Sequence, residues 1–191
     1  EIKLLAVSER RNINSKGSLS LNIWVAPSLI PKSHPLAKVD GVNNAILIDA
    51  YPLGEIMLYG PGAGSGPTAA SVVSDILNLQ ASLSKNLSSI DPLLSFGFWR
   101  DCHAIEFNQI SKKNYLRIIC LDTPGVIGKI GDLFGKNDVS IESIVQLDAS
   151  ENKAEIVVIT HEVSNGKFDK SKKEINCLSE VELIAGQLSC I

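Results

Sequence analysis

Residues 115–188 leave the chain little freedom of fold, because they spell four strands and two helices in a fixed order. Tyr115–Leu121 reads as a strand and Asp122-Thr123-Pro124-Gly125 as a helix cap. Val126, Ile127, Ile130, Leu133 and Phe134 then fall at i, i+1, i+4, i+7 and i+8, the spacing of one apolar helix face. Gly135 to Asp138 ends that helix, Val139–Leu147 reads as a second strand, and Ala149–Lys153 as a polar turn. Ala154–His161 is a third strand, with Ile156, Val157, Val158 and Ile159 nearly continuous. A polar helix over Gly166–Leu178 and a last strand, Val181–Leu188, complete the order βαββαβ.

That order is the ferredoxin-like split βαβ unit, which makes the expected class α+β. Both helices lie on one face, so the other sheet face and an edge strand need cover, and a core this small is marginal alone. A second copy of the chain is the expected cover, giving a homodimer or higher homo-oligomer.

The first half reads as strands Lys3–Ser8, Leu19–Pro27, Ala45–Ala50 and Gly54–Tyr59, the first two joined as a hairpin across the polar stretch Asn12–Gly17. Pro27, Pro31 and Pro35 argue against a helix over 27–36. Tyr59-Gly60-Pro61-Gly62-Ala63-Gly64-Ser65-Gly66-Pro67-Thr68 is a glycine-rich turn that runs into a helix over Pro67–Leu83. Val72, Val73, Ile76, Leu77 and Leu83 are spaced to bury one face of it. Pro67 suits a first helical turn, with Ser65 or Gly66 as cap. Residues 84–114, with Asp91-Pro92 and Gly97, read as a connector without firm secondary structure.

Glycines followed by a helix N-terminus offer bare backbone and free N–H groups to phosphate or carboxylate, but they equally let a helix pack tightly on a sheet. Neither common phosphate-loop pattern fits. The third glycine of G-x-G-x-x-G would fall at Ser65 or Pro67, and no Lys follows for a P-loop.

Composition narrows the classes further. The chain has 191 residues, 45% of them hydrophobic, which allows one domain or two small ones with a real core. A net charge of −3 with the signs interspersed leaves no footprint for nucleic acid or anionic lipid, and Lys167–Lys173 reads as a solvated helix face. Cys102, Cys120, Cys177 and Cys190 form no C-x-x-C pair and have no His at metal-ligand spacing, so reduced thiols, no metal and a cytoplasmic setting are expected. No apolar run is long enough to cross a membrane. No signal peptide precedes the first strand, and a start inside an apolar strand without Met reads as a fragment or a processed chain. His34, His103 and His161 have no evident base or carboxylate partner, and Glu55 and Asp75 read as solvent-facing.

Two segments carry family resemblances. Asp122-Thr123-Pro124-Gly125-Val126-Ile127, a helix, and then Asn137-Asp138-Val139-Ser140-Ile141 resemble an ACT domain, the amino-acid-sensing module appended to many biosynthetic enzymes, over residues 114–191. Pro31-Lys32-Ser33-His34-Pro35-Leu36, Gly54–Gly64, Pro67-Thr68-Ala69 and Val72-Val73-Ser74-Asp75 are similar to the end of the homoserine dehydrogenase catalytic domain, here residues 1–85, with 86–113 as connector. The fold expected from both is a partial mixed-sheet substrate domain followed by the ferredoxin-like ACT domain.

The homoserine dehydrogenase resemblance implies reduction of aspartate 4-semialdehyde to homoserine with NAD or NADP, in the biosynthesis of threonine and methionine. By resemblance Gly64 touches the cofactor. The catalytic Lys and Asp and the Rossmann domain belong upstream in that family, so no catalytic residue is assigned here and the chain alone is expected to be inactive. The ACT resemblance implies an amino-acid effector, threonine foremost. It would lie between the Asp122–Ile127 loop (Asp122, Gly125, Val126, Ile127) and the strand near Ser140 of a neighbouring copy. Gly125 is a poor helix former, by roughly 1 kcal/mol against Ala, which points to close approach by an effector or a partner backbone. Asp122 either pairs with an α-ammonium group or merely caps the helix. Two rival readings stay open: a non-enzymatic ACT-type regulator, and a free-standing nucleotide binder built on the glycine turn.

Overall fold

The computed structural model describes residues 1–12, 19–84, 102–149 and 152–191. It divides into two units, Glu1–Pro31 with Asp101–Ile191, and Lys32–Arg100.

The larger unit contains the βαββαβ order expected from the sequence. Strand β6 (Ser111–Leu121) leads into α2 (Val126–Lys136), β7 (Ile141–Ala149) and β8 (Lys153–Thr160) follow, and a two-residue strand β9 (Val163–Ser164) precedes α3 (Asn165–Asn176) and β10 (Val181–Cys190). Their order across the sheet is β10-β6-β8-β7, every neighbouring pair antiparallel, which is the ferredoxin-like arrangement. Alternation does the work in β8: Ala154, Ile156, Val158 and Thr160 are buried while their neighbours are only half-buried. In α2 the buried residues are Val126, Ile130 and Phe134, one stripe at i, i+4 and i+8. They meet Leu116, Ile118 and Cys120 of β6 and Phe168 and Ile175 of α3 in one core. At the end of α2, Asn137 donates to the Leu133 carbonyl at 3.0 Å and to Glu174 Oε2 at 2.7 Å, tying α2 to α3.

The sheet extends past this module. The hairpin expected at the N-terminus is present, as β1 (Ile2–Asn12) paired antiparallel with β2 (Leu19–Leu29), and it does not stand apart. Strand β2 runs parallel to β10 at Ser28–Ser189 and Leu29–Cys190, giving the order β1-β2-β10-β6-β8-β7. The connector expected to lack secondary structure contributes β5 (Cys102–Ala104), which pairs with β2, a 3-10 turn at Phe107–Gln109, and the first residues of β6. Its residues 85–101 lie outside the described set. Strand β2 also passes through Pro27, two residues further than the pattern marked, because β1 and β10 supply partners around it.

The smaller unit holds the hairpin of β3 (Asn43–Ala50) with β4 (Gly54–Pro61) and the helix α1 (Ser65–Ser84). A single 3-10 turn, Pro35–Lys38, begins at Pro35, whose fixed φ suits a first helical position. His34 caps it, its Nδ1 accepting the Leu36 N–H at 3.2 Å, so this histidine is structural. The spacing predicts a buried face for α1, but Val72, Val73, Ile76, Leu77 and Leu83 are all more than half exposed. Periodicity marks the apolar face of a helix without supplying what lies against it.

Candidate functional site

The glycine turn resolves into two positions with a stated need for glycine. Gly64 has φ 126°, and its carbonyl accepts the Thr68 N–H at 3.1 Å, so Gly64, and neither Ser65 nor Gly66, is the cap of α1. A Cβ on Gly62 would collide with the Asn44 side chain, and the Gly62 N–H donates to the Val42 carbonyl at 2.9 Å. Beside Gly60 and Gly66 there is open space. Gly64 therefore presents exposed, bare backbone at a helix N-terminus. Glu55 and Asp75 face solvent.

The better-formed site lies where β6 leaves the sheet and α2 begins. The Leu121 N–H donates to the Glu180 carbonyl at 2.9 Å, the Asp122 N–H to the Asn152 carbonyl at 3.0 Å, and the Thr123 N–H to the Leu121 carbonyl at 3.0 Å. The loop is thus stitched on one side to the start of β10 and on the other to the β7–β8 turn. An ion pair between Lys129 and Glu180 braces the first side and holds the Glu180 carboxyl below the usual range.

The cap of α2 differs from the sequence expectation. Its N-cap is Gly125, with φ 93° and no side-chain cap bond, so Asp122 is not the capping residue. A Cβ on Gly125 would meet nothing within 4 Å. The glycine is explained by its left-handed backbone, and no close approach is needed to account for it.

Freed from capping, the Asp122 carboxylate accepts through Oδ1 a hydrogen bond of 2.9 Å from Gln146 Nε2. Gln146 is a residue that sequence reasoning passed over. It sits in the middle of β7 and pairs in register with Ile156, whose buried side chain marks the helix-facing side of the sheet. Together these residues line a pocket of about 450 Å³, within the roughly 300–1,000 Å³ usual for small-molecule sites. Asp122, Thr123 and Gln146 give it polar groups, and Val126, Ile127, Ala154 and Ile156 an apolar wall. Cys120 also lines it, its thiol pushed up by burial and then by the charge of Asp122. The N–H groups of Ile127 and Gly128 fall in the first turn of α2, where no helical carbonyl stands behind them.

Of the expected site residues, the fold brings Asp122, Gly125, Val126 and Ile127 together and leaves Ser140 elsewhere. Ser140 is exposed, and its carbonyl accepts the His161 N–H at 2.9 Å. The adjoining pair Ile141–Thr160 lies near Tyr115–Ile159, the end of the sheet opposite Asp122. His161, expected without a partner, has Nδ1 at 3.9 Å from Glu142 Oε2. Among the described residues no three metal-binding side chains gather, and no helix is long and apolar enough to cross a membrane.

Comparison with known proteins agrees with both halves of this description. The sequence model of the homoserine dehydrogenase family matches residues 1–77, and that of the ACT domain residues 114–177. The chain is similar over nearly its whole length to the C-terminal part of homoserine dehydrogenases. The homoserine dehydrogenase of Synechocystis is 42% identical over 96% of the chain, and that of Neisseria gonorrhoeae 35% identical over 95%. The crystal structure of a homoserine dehydrogenase from Thiobacillus denitrificans superimposes over 100% of the chain with a TM-score of 0.85 at 26% identity. The chain spans only about 42% of the length of these relatives.

Proposed function

We propose that this chain is the C-terminal part of an NAD(P)-dependent homoserine dehydrogenase, reducing aspartate 4-semialdehyde to homoserine, and that its ACT module binds threonine as a feedback effector. The observation that carries the sensing half is the pocket itself, which Asp122 and the first turn of α2 both line. A free α-amino acid is a zwitterion of matching polarity: its ammonium suits Asp122 and its carboxylate suits Ile127 and Gly128. The wall of Val126, Ile127, Ala154 and Ile156, with Thr123 and Gln146 beside it, suits a short side chain bearing both a methyl and a hydroxyl.

In the reducing half, the dinucleotide when bound supplies the hydride, and Gly64 is the residue here that would lie against it. The chain contributes exposed backbone at that point. Self-association into a homodimer is supported by the sheet face away from the helices, where Val145, Leu147 and Leu183 are each about half exposed. A dimer would bring Ser140 of a neighbouring copy within the effector's reach.

Calorimetry of the chain with threonine, isoleucine and methionine tests the sensor: threonine should bind, and Asp122→Ala should abolish the heat. Semialdehyde-dependent oxidation of NADPH by the whole polypeptide, absent from the isolated chain, tests the enzymatic half. Threonine binding with no dehydrogenase activity in the whole polypeptide would instead favour a non-enzymatic ACT regulator.

A further inference from the structure

The family matches break the chain after residue 77 and resume it at 114, whereas the structure breaks it at Pro31–Lys32. Residues 1–31, which match the dehydrogenase, are built into the sheet of the sensor. Backbone pairing alone explains this poorly, because β2 and β10 share only the pairs Ser28–Ser189 and Leu29–Cys190.

What joins them is a set of side chains at the start of β6. Lys112 shares the helix-facing side of β6 with Asn114 and Leu116 by the two-residue alternation of a strand. Its Nζ donates to Ser189 Oγ of β10 at 2.8 Å and stands 5.1 Å from the centre of the Trp24 ring of β2. One ammonium group therefore touches the side chains of two further strands. Ser189 is 3% exposed and Trp24 9%, so neither surface is one that water could replace without opening the sheet. Beside it Asn22 donates to the Ser111 carbonyl at 2.9 Å, a second bond from β2 to β6. The seam is polar and buried but not fully satisfied, since Asn22 Oδ1, Trp24 Nε1 and Asn114 Oδ1 have no hydrogen-bond partner among the described residues, so the contacts of Lys112 and the Asn22 amide are the polar ties that hold β2 there.

The same two strands lead to the effector pocket. Strand β6 runs from Lys112 to Leu121, and Asp122 follows, ten residues or roughly 33 Å away. Strand β10 runs alongside from Val181, next to the loop, to Ser189 and Cys190, next to β2. Its register against β6 shifts twice, between Val181 and Leu183 and between Ile184 and Gly186, both on the pocket side of Ser189. Bulges of this kind are where one strand changes its alignment on another.

We propose that Lys112 is a positioning residue that clasps the β1–β2 hairpin to the sensor sheet, so that the two form one mechanical body whose boundary lies at Pro31–Lys32. Where the module senses an amino acid, as proposed above, the hairpin is then the part that carries its state to the rest of the enzyme.

Amide hydrogen exchange on the whole polypeptide tests the clasp without any effector. In the wild type, amides of 19–29 should be protected to within about tenfold of those of 115–121, as parts of one cooperative unit. Lys112→Met should speed exchange across 1–12 and 19–29 by about tenfold or more and leave 153–160 unchanged. Ser189→Ala should do the same more weakly, and Lys112→Arg should restore protection. Lys113→Met, which removes a neighbouring charge paired to Glu142 on the other face, should have no effect on the hairpin. A wild-type hairpin that exchanges freely while 115–121 stays protected, or a Lys112→Met hairpin indistinguishable from wild type, overturns the proposal. A second arm measures threonine inhibition of Lys112→Met: binding retained with inhibition lost supports transmission through the hairpin, and full inhibition refutes it. Should threonine fail to bind the wild type, the sensing reading falls and the exchange arm still decides the clasp.

Discussion

Replacing Gly125 by Ala separates backbone need from ligand need at the head of α2. The φ of 93° lies in the left-handed region, where an L-residue pays about 1–2 kcal/mol in contact between its Cβ and the following carbonyl. Nothing lies within 4 Å of the added methyl, so no clash adds to that figure. The smaller unfolded-state entropy of Ala returns part of it, about 0.4–1 kcal/mol, leaving a net loss near 1 kcal/mol. Gly131 is the control, since it lies within α2, with open space beside it and no positive φ. Gly131→Ala should therefore gain about 0.5–1 kcal/mol. At about 2–4 °C per kcal/mol for a chain of this size, the two variants should melt roughly 3–8 °C apart, Gly125→Ala the lower. Scanning calorimetry with matched urea titrations reads this directly. Equal melting temperatures, or a Gly125→Ala that melts above Gly131→Ala, would refute the backbone account. If Gly125→Ala instead kept wild-type stability and lost threonine binding, the glycine would be serving ligand approach after all.

Phe134→Ala, at a side chain with 0% exposure in the centre of the core, should lose about 3–5 kcal/mol by urea unfolding. Asp122→Asn should weaken threonine binding by at least about tenfold, the loss of one charge-assisted bond, while Gln146→Leu should shift preference toward isoleucine; calorimetry with both amino acids measures each. Burial, reinforced by Glu142, pushes the Cys190 thiol up to about 11. At pH 8 the exposed Cys102 and Cys177 should therefore label quickly with a disulfide reagent, and Cys190 slowly. The Cys190 rate should climb with each pH unit until about 11, since only the thiolate attacks; mass spectrometry of the labelled peptides follows it, and a Cys190 rate equal to that of Cys177 at pH 8 would contradict the assignment.

The βαββαβ module was legible because its signals are local. Val126, Ile130 and Phe134 in α2 declare both the element and its buried side by spacing alone, while the apolar run Ile156–Ile159 declares the strand β8 but not which of its sides is buried. What stayed hidden depends on partners distant in sequence. No pattern in Leu19–Leu29 reveals that Ser28 will meet Ser189, and a β-strand pairs with any edge whose side chains suit it. The apolar stripe of α1 was visible, yet nothing local says whether it is covered. At the site, the Asp122-Thr123-Pro124-Gly125 stretch announced a helix start, but Asp at a helix start usually caps, and only the positive φ of Gly125 moves the cap onward and frees the carboxylate. Gln146 could have been found by counting: on a strand whose Ile144 faces the core, the residue two positions on shares that side.

The parallel contact between β2 and β10 also bears on transplanting the sensor into another enzyme. A graft cut at residue 114 would follow the edge of the ACT match and would carry away β10 with Cys190 and Ile191 stripped of Leu29, and Ser189 bare of its neighbour. It would also cut behind Ser111 and Lys112, severing the residues that hold the hairpin. The transplantable piece is discontinuous in sequence, comprising residues 1–31 and the run from 102 onward, and because β2 and β5 run parallel with Cys102 opposite Leu19, whatever replaces the smaller unit must be a crossover of about a dozen residues or more. For a regulatory module this is an inconvenient geometry, since two of its points of attachment to the host, after Pro31 and before Cys102, are internal to the chain.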